Sequence, residues 1–93
     1  MLTTTTIENA GDLNGVIHDL SVAGTTIVAH THPTETEHIT IVARGKIKAS
    51  GEGFEFILAA GEMVSLPEGK AHEILAMEDN TRIFNIAKRY KLD

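Results

Sequence analysis

Apolar residues along this chain recur mostly at alternate positions or in short β-branched runs bounded by turn formers. Lys46-Ile-Lys-Ala-Ser50 sets charged or polar residues against apolar ones in turn, the pattern of a strand with one wet face. Runs over 16–22, 25–32, 38–43, 54–59, 70–77 and 81–87 read as further strands from their valine, isoleucine, threonine and phenylalanine content. In the 70–77 run, alternation places His72, Ile74 and Ala76 on one face. Residues 3–7 suit an edge strand and a frayed end equally. Turns are expected where glycine, asparagine, aspartate and proline gather: 8–15, 23–24, 44–45, 51–53, 67–69 and 78–80. Pro33 opens a connection over 33–37, since proline cannot continue a central strand. Residues 88–93 form a mildly basic tail. No stretch carries a sustained helical period with caps, so the fold class is all-β, a sandwich or a barrel.

Composition narrows the function classes. Ninety-three residues suit one domain, 1–93, with a modest core, and 42% hydrophobic content argues against disorder. A net charge of −5 argues against nucleic acid or an anionic membrane as partner. Without cysteine there is neither a disulfide framework nor a thiolate metal site. The first residues have no basic segment and no apolar segment of the secretory kind, and no run approaches the ~20 apolar residues of a membrane span. A soluble, cytoplasmic protein is the expectation.

The candidate chemistry lies in one stretch. Three of the five histidines, His30, His32 and His38, and two carboxylates, Glu35 and Glu37, fall within nine positions. His30 and His32 are two apart in a β-branched run and so share a strand face. Paired imidazoles with further ligands across a short turn suit a metal site, and the alternative is a surface loop that contains histidines. His18 reads as an ordinary strand or surface histidine. Glu35 and Glu37 are candidates for metal contact, for a general base, or for simple solvation.

The stretch from Gly24 to Gly45 resembles the first conserved motif of the cupin superfamily. That motif runs glycine, five residues, His-x-His, three or four residues, glutamate, six residues, glycine. Gly24, His30, His32 and Gly45 match it. Gly61, Pro67, Gly69 and His72 match the second motif in order and spacing, and fifteen residues separate Gly45 from Gly61. Together the motifs span 24–76. The chain departs from the pattern: His38 stands where the family has its glutamate, with an interval after His32 one residue longer than usual, and Ala76 replaces the closing asparagine.

The resemblance implies a small antiparallel jelly-roll barrel, the double-stranded β-helix, with the histidines of both motifs converging in its mouth. It implies His30, His32, His38 and His72 as ligands of one divalent transition metal, with iron, nickel, zinc and copper suiting an imidazole set. Two function classes stay open. One is a metal-dependent enzyme, of oxygenase or isomerase type, acting on a small oxygenated organic substrate. The other is a non-enzymatic binding or sensor module with a structural metal. Four neutral imidazoles leave the metal charge uncompensated, which favours an anionic small-molecule ligand.

Alternation allows either Glu37, Ile39, Ile41 and Ala43 or His38, Thr40 and Val42 to face the barrel interior. The cupin spacing counted back from Gly45 selects the second set. Ile39 and Ile41 then point outward, and a symmetric homodimer covering them is the expected assembly.

Overall fold

The computed structural model describes residues 2–7, 13–30, 35–65 and 71–89, the side chains at 7, 13, 14, 28–30, 35–38, 88 and 89 excepted. Among them are nine strands and no helix: β1 (Leu2–Ile7), β2 (Leu13–Leu20), β3 (Thr26–His30), β4 (Glu35–Arg44), β5 (Lys46–Gly51), β6 (Phe54–Ala59), β7 (Met63–Ser65), β8 (His72–Ala76) and β9 (Thr81–Arg89). They form two antiparallel sheets, one ordered β1-β2-β9-β4-β7 and the other β3-β8-β5-β6. The chain changes sheet at every connection except β1–β2 and β5–β6. The architecture is the expected all-β jelly roll. No described helix is long and apolar enough to cross a membrane.

The core lies between the two inner faces. Leu20, Val42 and Ile83 meet Ile27, Ile47, Ala49, Leu58, Ile74 and Ala76. Alternation produces this set. Along β8, His72, Ile74 and Ala76 are buried while Glu73 between them is exposed. Each fully buried isoleucine contributes roughly 1.5–3 kcal/mol. In β4, Thr40 and Val42 are buried, Ile39 and Ile41 are half-buried, and Ala43 is exposed. The inward phase of this strand is therefore the expected one.

One end of the barrel is closed by hydrogen-bonded turns. The turn between β4 and β5 has Gly45 at φ 84, in the left-handed region, and a Cβ there would collide with Thr81. Thr81 donates its hydroxyl to the Glu78 carbonyl (2.8 Å), and the Arg44 Nε donates to the Asn80 carbonyl (2.7 Å). The Ala23 amide donates to Asp79 (2.8 Å), and the Asn80 amide to the Ser21 carbonyl (3.0 Å). These bonds tie the β2–β3, β4–β5 and β8–β9 turns together.

Several boundaries differ from the sequence reading. β4 starts at Glu35, inside the expected 33–37 connection, and β9 runs to Arg89, into the expected tail. The two extensions pair with each other, Glu35 opposite Arg89 and Glu37 opposite Lys88, with a register shift between the glutamates. Residue types of opposite charge at paired positions favour such a ladder, which local sequence rules do not see. β2 begins at Leu13, within the expected 8–15 loop, because its ladder with β9 continues to Leu13 opposite Lys88. Gly51, read as part of a turn, is the last residue of β5 and pairs with both Phe54 and His72. Residues 3–7 form an edge strand.

Candidate metal centre

At the end of the barrel away from Gly45, the four-stranded sheet presents one cross-strand row. Phe54 pairs with Gly51, Gly51 with His72, and His72 with His30. His72 is 2% exposed and shares its face with the core residues Ile74 and Ala76. A buried imidazole at the margin of an apolar core loses hydration, so the position suits a histidine held by a specific partner. β3 reaches His30 through a register shift: Ile27 still pairs with Ile74, and one additional residue is accommodated before His30 comes opposite His72. Such a bulge re-aims the strand next to a site. The two cupin-like motifs thus meet in one ladder, His30 from the first and His72 from the second.

On the five-stranded sheet, His38 of β4 pairs with Ala87 of β9, two pairs beyond Thr40 and Asn85. His32 lies outside the described residues, as do the side chains of His30, His38, Glu35 and Glu37. Among the described residues, no group of three or more histidine, aspartate or glutamate side chains comes together. His18 sits on β2, half-buried, with its Nδ1 3.0 Å from the Thr4 hydroxyl. It belongs to the β1–β2 pair, as an ordinary strand histidine does.

Two features of the inner faces escaped the sequence reading. Thr40 and Asn85 are both buried, and the Thr40 hydroxyl donates to Asn85 Oδ1 at 2.7 Å. That bond satisfies two polar groups in the barrel and leaves the Asn85 amide nitrogen as a donor. The signal was present as polar residues at the inward positions of β4 and β9, but it needs the pairing of two distant strands to be read. The second feature is Gly51. A Cβ on it would lie 2.5 Å from Phe54 Cε1, 2.6 Å from Phe54 Cζ and 2.6 Å from the Ala71 carbonyl oxygen. The Phe54 ring occupies the space a side chain at 51 would take. Phe56, two residues on, has its ring centroid 5.8 Å from that of Phe54.

The donor chemistry fits a transition metal. Imidazole nitrogen is a good ligand for iron, nickel, copper and zinc and a poor one for magnesium or calcium. The described imidazole, that of His72, is on the inner face at the end where His30 and His38 also lie.

Among solved structures, a conserved protein of unknown function from Streptococcus pyogenes superposes with a TM-score of 0.83 at 17% identity, covering 99% of this chain and 77% of the other. KdgF from Halomonas sp. gives 0.83 at 19% identity, over 97% of this chain and 82% of its own. A cupin-2 domain containing protein from Shewanella frigidimarina gives 0.74 at 25% identity, over 94% and 80%. No curated protein matches the sequence. The family model described as "Cupin domain" matches residues 17–86. That match takes in both histidine motifs and β3 to β8 entire, with half of β2 and most of β9. The chain belongs to the cupin superfamily.

Proposed function

We propose that His30, His32, His38 and His72 hold one divalent transition metal at the histidine end of the barrel, and that the domain takes a small oxygenated organic anion beside it. The observation that carries this reading is the ladder pairing of His30 with the buried His72, one from each motif. The burial of Thr40 and Val42 supports His38 as the third position, because it is in phase with them on β4. When bound, such an ion supplies Lewis acidity, and iron or copper adds redox capacity.

The chain's own residues set the rest. Neutral imidazoles contribute no charge to offset a divalent cation, so the site attracts a carboxylate or enolate. The Thr40–Asn85 pair offers a fixed amide donor to an oxygen of that ligand. Glu35, close in sequence to His38, is the base candidate for proton removal from a bound substrate, because Glu37 alternates with His38 on β4 and so falls on the other face. An enzyme of oxygenase or isomerase type is the first reading. The second is a binding module, favoured by one observation: the described buried polar residues apart from His72 are Thr40, Thr81 and Asn85, none of which titrates as an acid or base.

The deciding experiment loads the protein with Fe(II) and follows dioxygen uptake with small carboxylates and diketones. Turnover that is lost in Glu35→Gln supports the enzyme. Stoichiometric ligand binding without turnover supports the module.

For the assembly we propose a symmetric homodimer through the outer face of the five-stranded sheet. Ile17, Phe84, Ile41 and Met63 form one cross-strand row on that face, and Ile86 and Ile39 lie in the next. Met63 is 62% exposed, and the others are half-buried. A two-row apolar band can pair with its own copy about a two-fold axis, which fits a second copy of this chain. Ile39→Glu with Ile41→Glu should give a monomer in sedimentation that still binds metal. A wild type that sediments as a monomer at micromolar concentration would rule the dimer out.

A further inference from the structure

Phe54 shares a cross-strand row with the buried His72. It stands two strands away, with only Gly51 between them. Directly paired residues in an antiparallel sheet have Cα atoms about 5 Å apart, so a phenylalanine ring lying over Gly51 brings its far edge close to the imidazole position. The ring does lie there: its Cε1 and Cζ atoms are within 2.6 Å of where a Cβ on Gly51 would be. Backbone conformation does not account for glycine at this position, since φ at Gly51 is not positive whereas it is at Gly45 and Gly53. Space does. The missing side chain lets an aromatic ring spread across β5 toward the histidine row. Phe56, at 37% exposed, continues the aromatic surface along the edge strand β6.

A core-filling role alone would be met by any apolar residue at 54 and would not need an empty position beside it. An aromatic face spread beside the proposed cation site suits a ligand with an unsaturated ring or conjugated plane next to its oxygen donors. We infer that Phe54, seated over Gly51, is the apolar wall of the ligand site and selects anionic ligands that carry a planar unsaturated group. This rests on the metal site proposed above and adds the class of substrate it takes.

The test uses the whole protein loaded with zinc and two hydroxamate probes that differ only in their tail, benzohydroxamate and acetohydroxamate. Calorimetry first measures zinc stoichiometry in the wild type and in Phe54→Ala, then the affinity for each probe. The expected result is one zinc in both proteins and about tenfold tighter binding of benzohydroxamate by the wild type. In Phe54→Ala that preference should fall below about threefold, with acetohydroxamate affinity unchanged. Phe54→Leu, which keeps the bulk without the ring, should fall between the two. Failure of the wild type to bind zinc would remove the metal site and this inference together. Normal zinc binding with no preference for benzohydroxamate, or a preference that survives Phe54→Ala, would overturn the wall alone. Equal weakening of both probes would assign Phe54 a merely structural role and overturn it as well.

Discussion

The two ends of this barrel are built on different terms. At the closed end, Leu20, Val42, Ile47, Ala76 and Ile83 fill the space between the sheets, and a network of turn hydrogen bonds around Asn80 and Thr81 seals it. At the histidine end, the inner faces carry Thr40, Asn85 and His72, with a glycine where a core residue would otherwise sit. Polar groups inside a barrel cost stability unless each is satisfied, so the histidine end depends on specific partners such as the Thr40–Asn85 bond where the closed end depends on apolar packing.

That contrast can be broken at either end. The largest effect is expected from Ile83→Ala or Ile47→Ala, both fully buried, at about 2–5 kcal/mol in urea denaturation. Neither should alter metal stoichiometry, because both lie in the closed half. Next comes Thr40→Val, which keeps the shape but removes the hydroxyl that Asn85 accepts from, at about 1–3 kcal/mol. Thr40→Val with Asn85→Leu should cost less than the two single changes added together, since the double variant leaves no orphaned partner. Measurement of all three by denaturation separates the pair from its members.

Glycine positions sharpen the same comparison. Gly45 and Gly53 both have positive φ, 84 and 82, but a Cβ at 45 meets Thr81 while a Cβ at 53 meets nothing within 4 Å. Gly53→Ala should therefore cost about 1 kcal/mol, the backbone strain alone. Gly45→Ala should cost more, and the difference in thermal midpoint reports how tightly Thr81 closes that end.

The smallest effect lies on the outer face. Asp19 accepts two hydrogen bonds from Arg82, at 2.7 and 3.1 Å, with Arg44 3.8 Å away. The hydrogen bond from Arg82 holds its carboxyl below the ordinary carboxylate range, against the opposing effect of burial, and the charges of Arg82 and Arg44 add to the lowering. A carboxyl whose folded pKa is depressed adds stability above its unfolded pKa and loses it as pH falls through the folded value. Asp19→Asn should thus be slightly less stable than wild type at pH 7, and the gap should close in strong acid. Exposure and salt screening keep this effect small.

Much of the scaffold was legible in the sequence because burial follows alternation. The inward set Thr40 and Val42 and the buried series His72, Ile74 and Ala76 both follow from period-two patterning, one anchored by the spacing to Gly45. The strand ends were not legible, because Glu35 to Glu37 and Lys88 to Arg89 are extended by pairing with each other across the sheet. Gly51 was misread for the same reason. Beside Glu52 and Gly53 it resembles a turn residue, and its role comes from Phe54 and the Ala71 carbonyl above it. The Thr40–Asn85 pair joins residues of two strands far apart in sequence, and no local rule connects them.

The central claim is that the histidine end gathers imidazoles from both motifs around one metal. Zinc titration by calorimetry at neutral pH, on wild type, His30→Ala, His72→Ala and His18→Ala, tests it most directly. One equivalent should bind to wild type and to His18→Ala, and affinity should fall by similar, large factors in His30→Ala and His72→Ala. Less than half an equivalent bound to wild type, or a His72→Ala variant that binds like wild type, would contradict it.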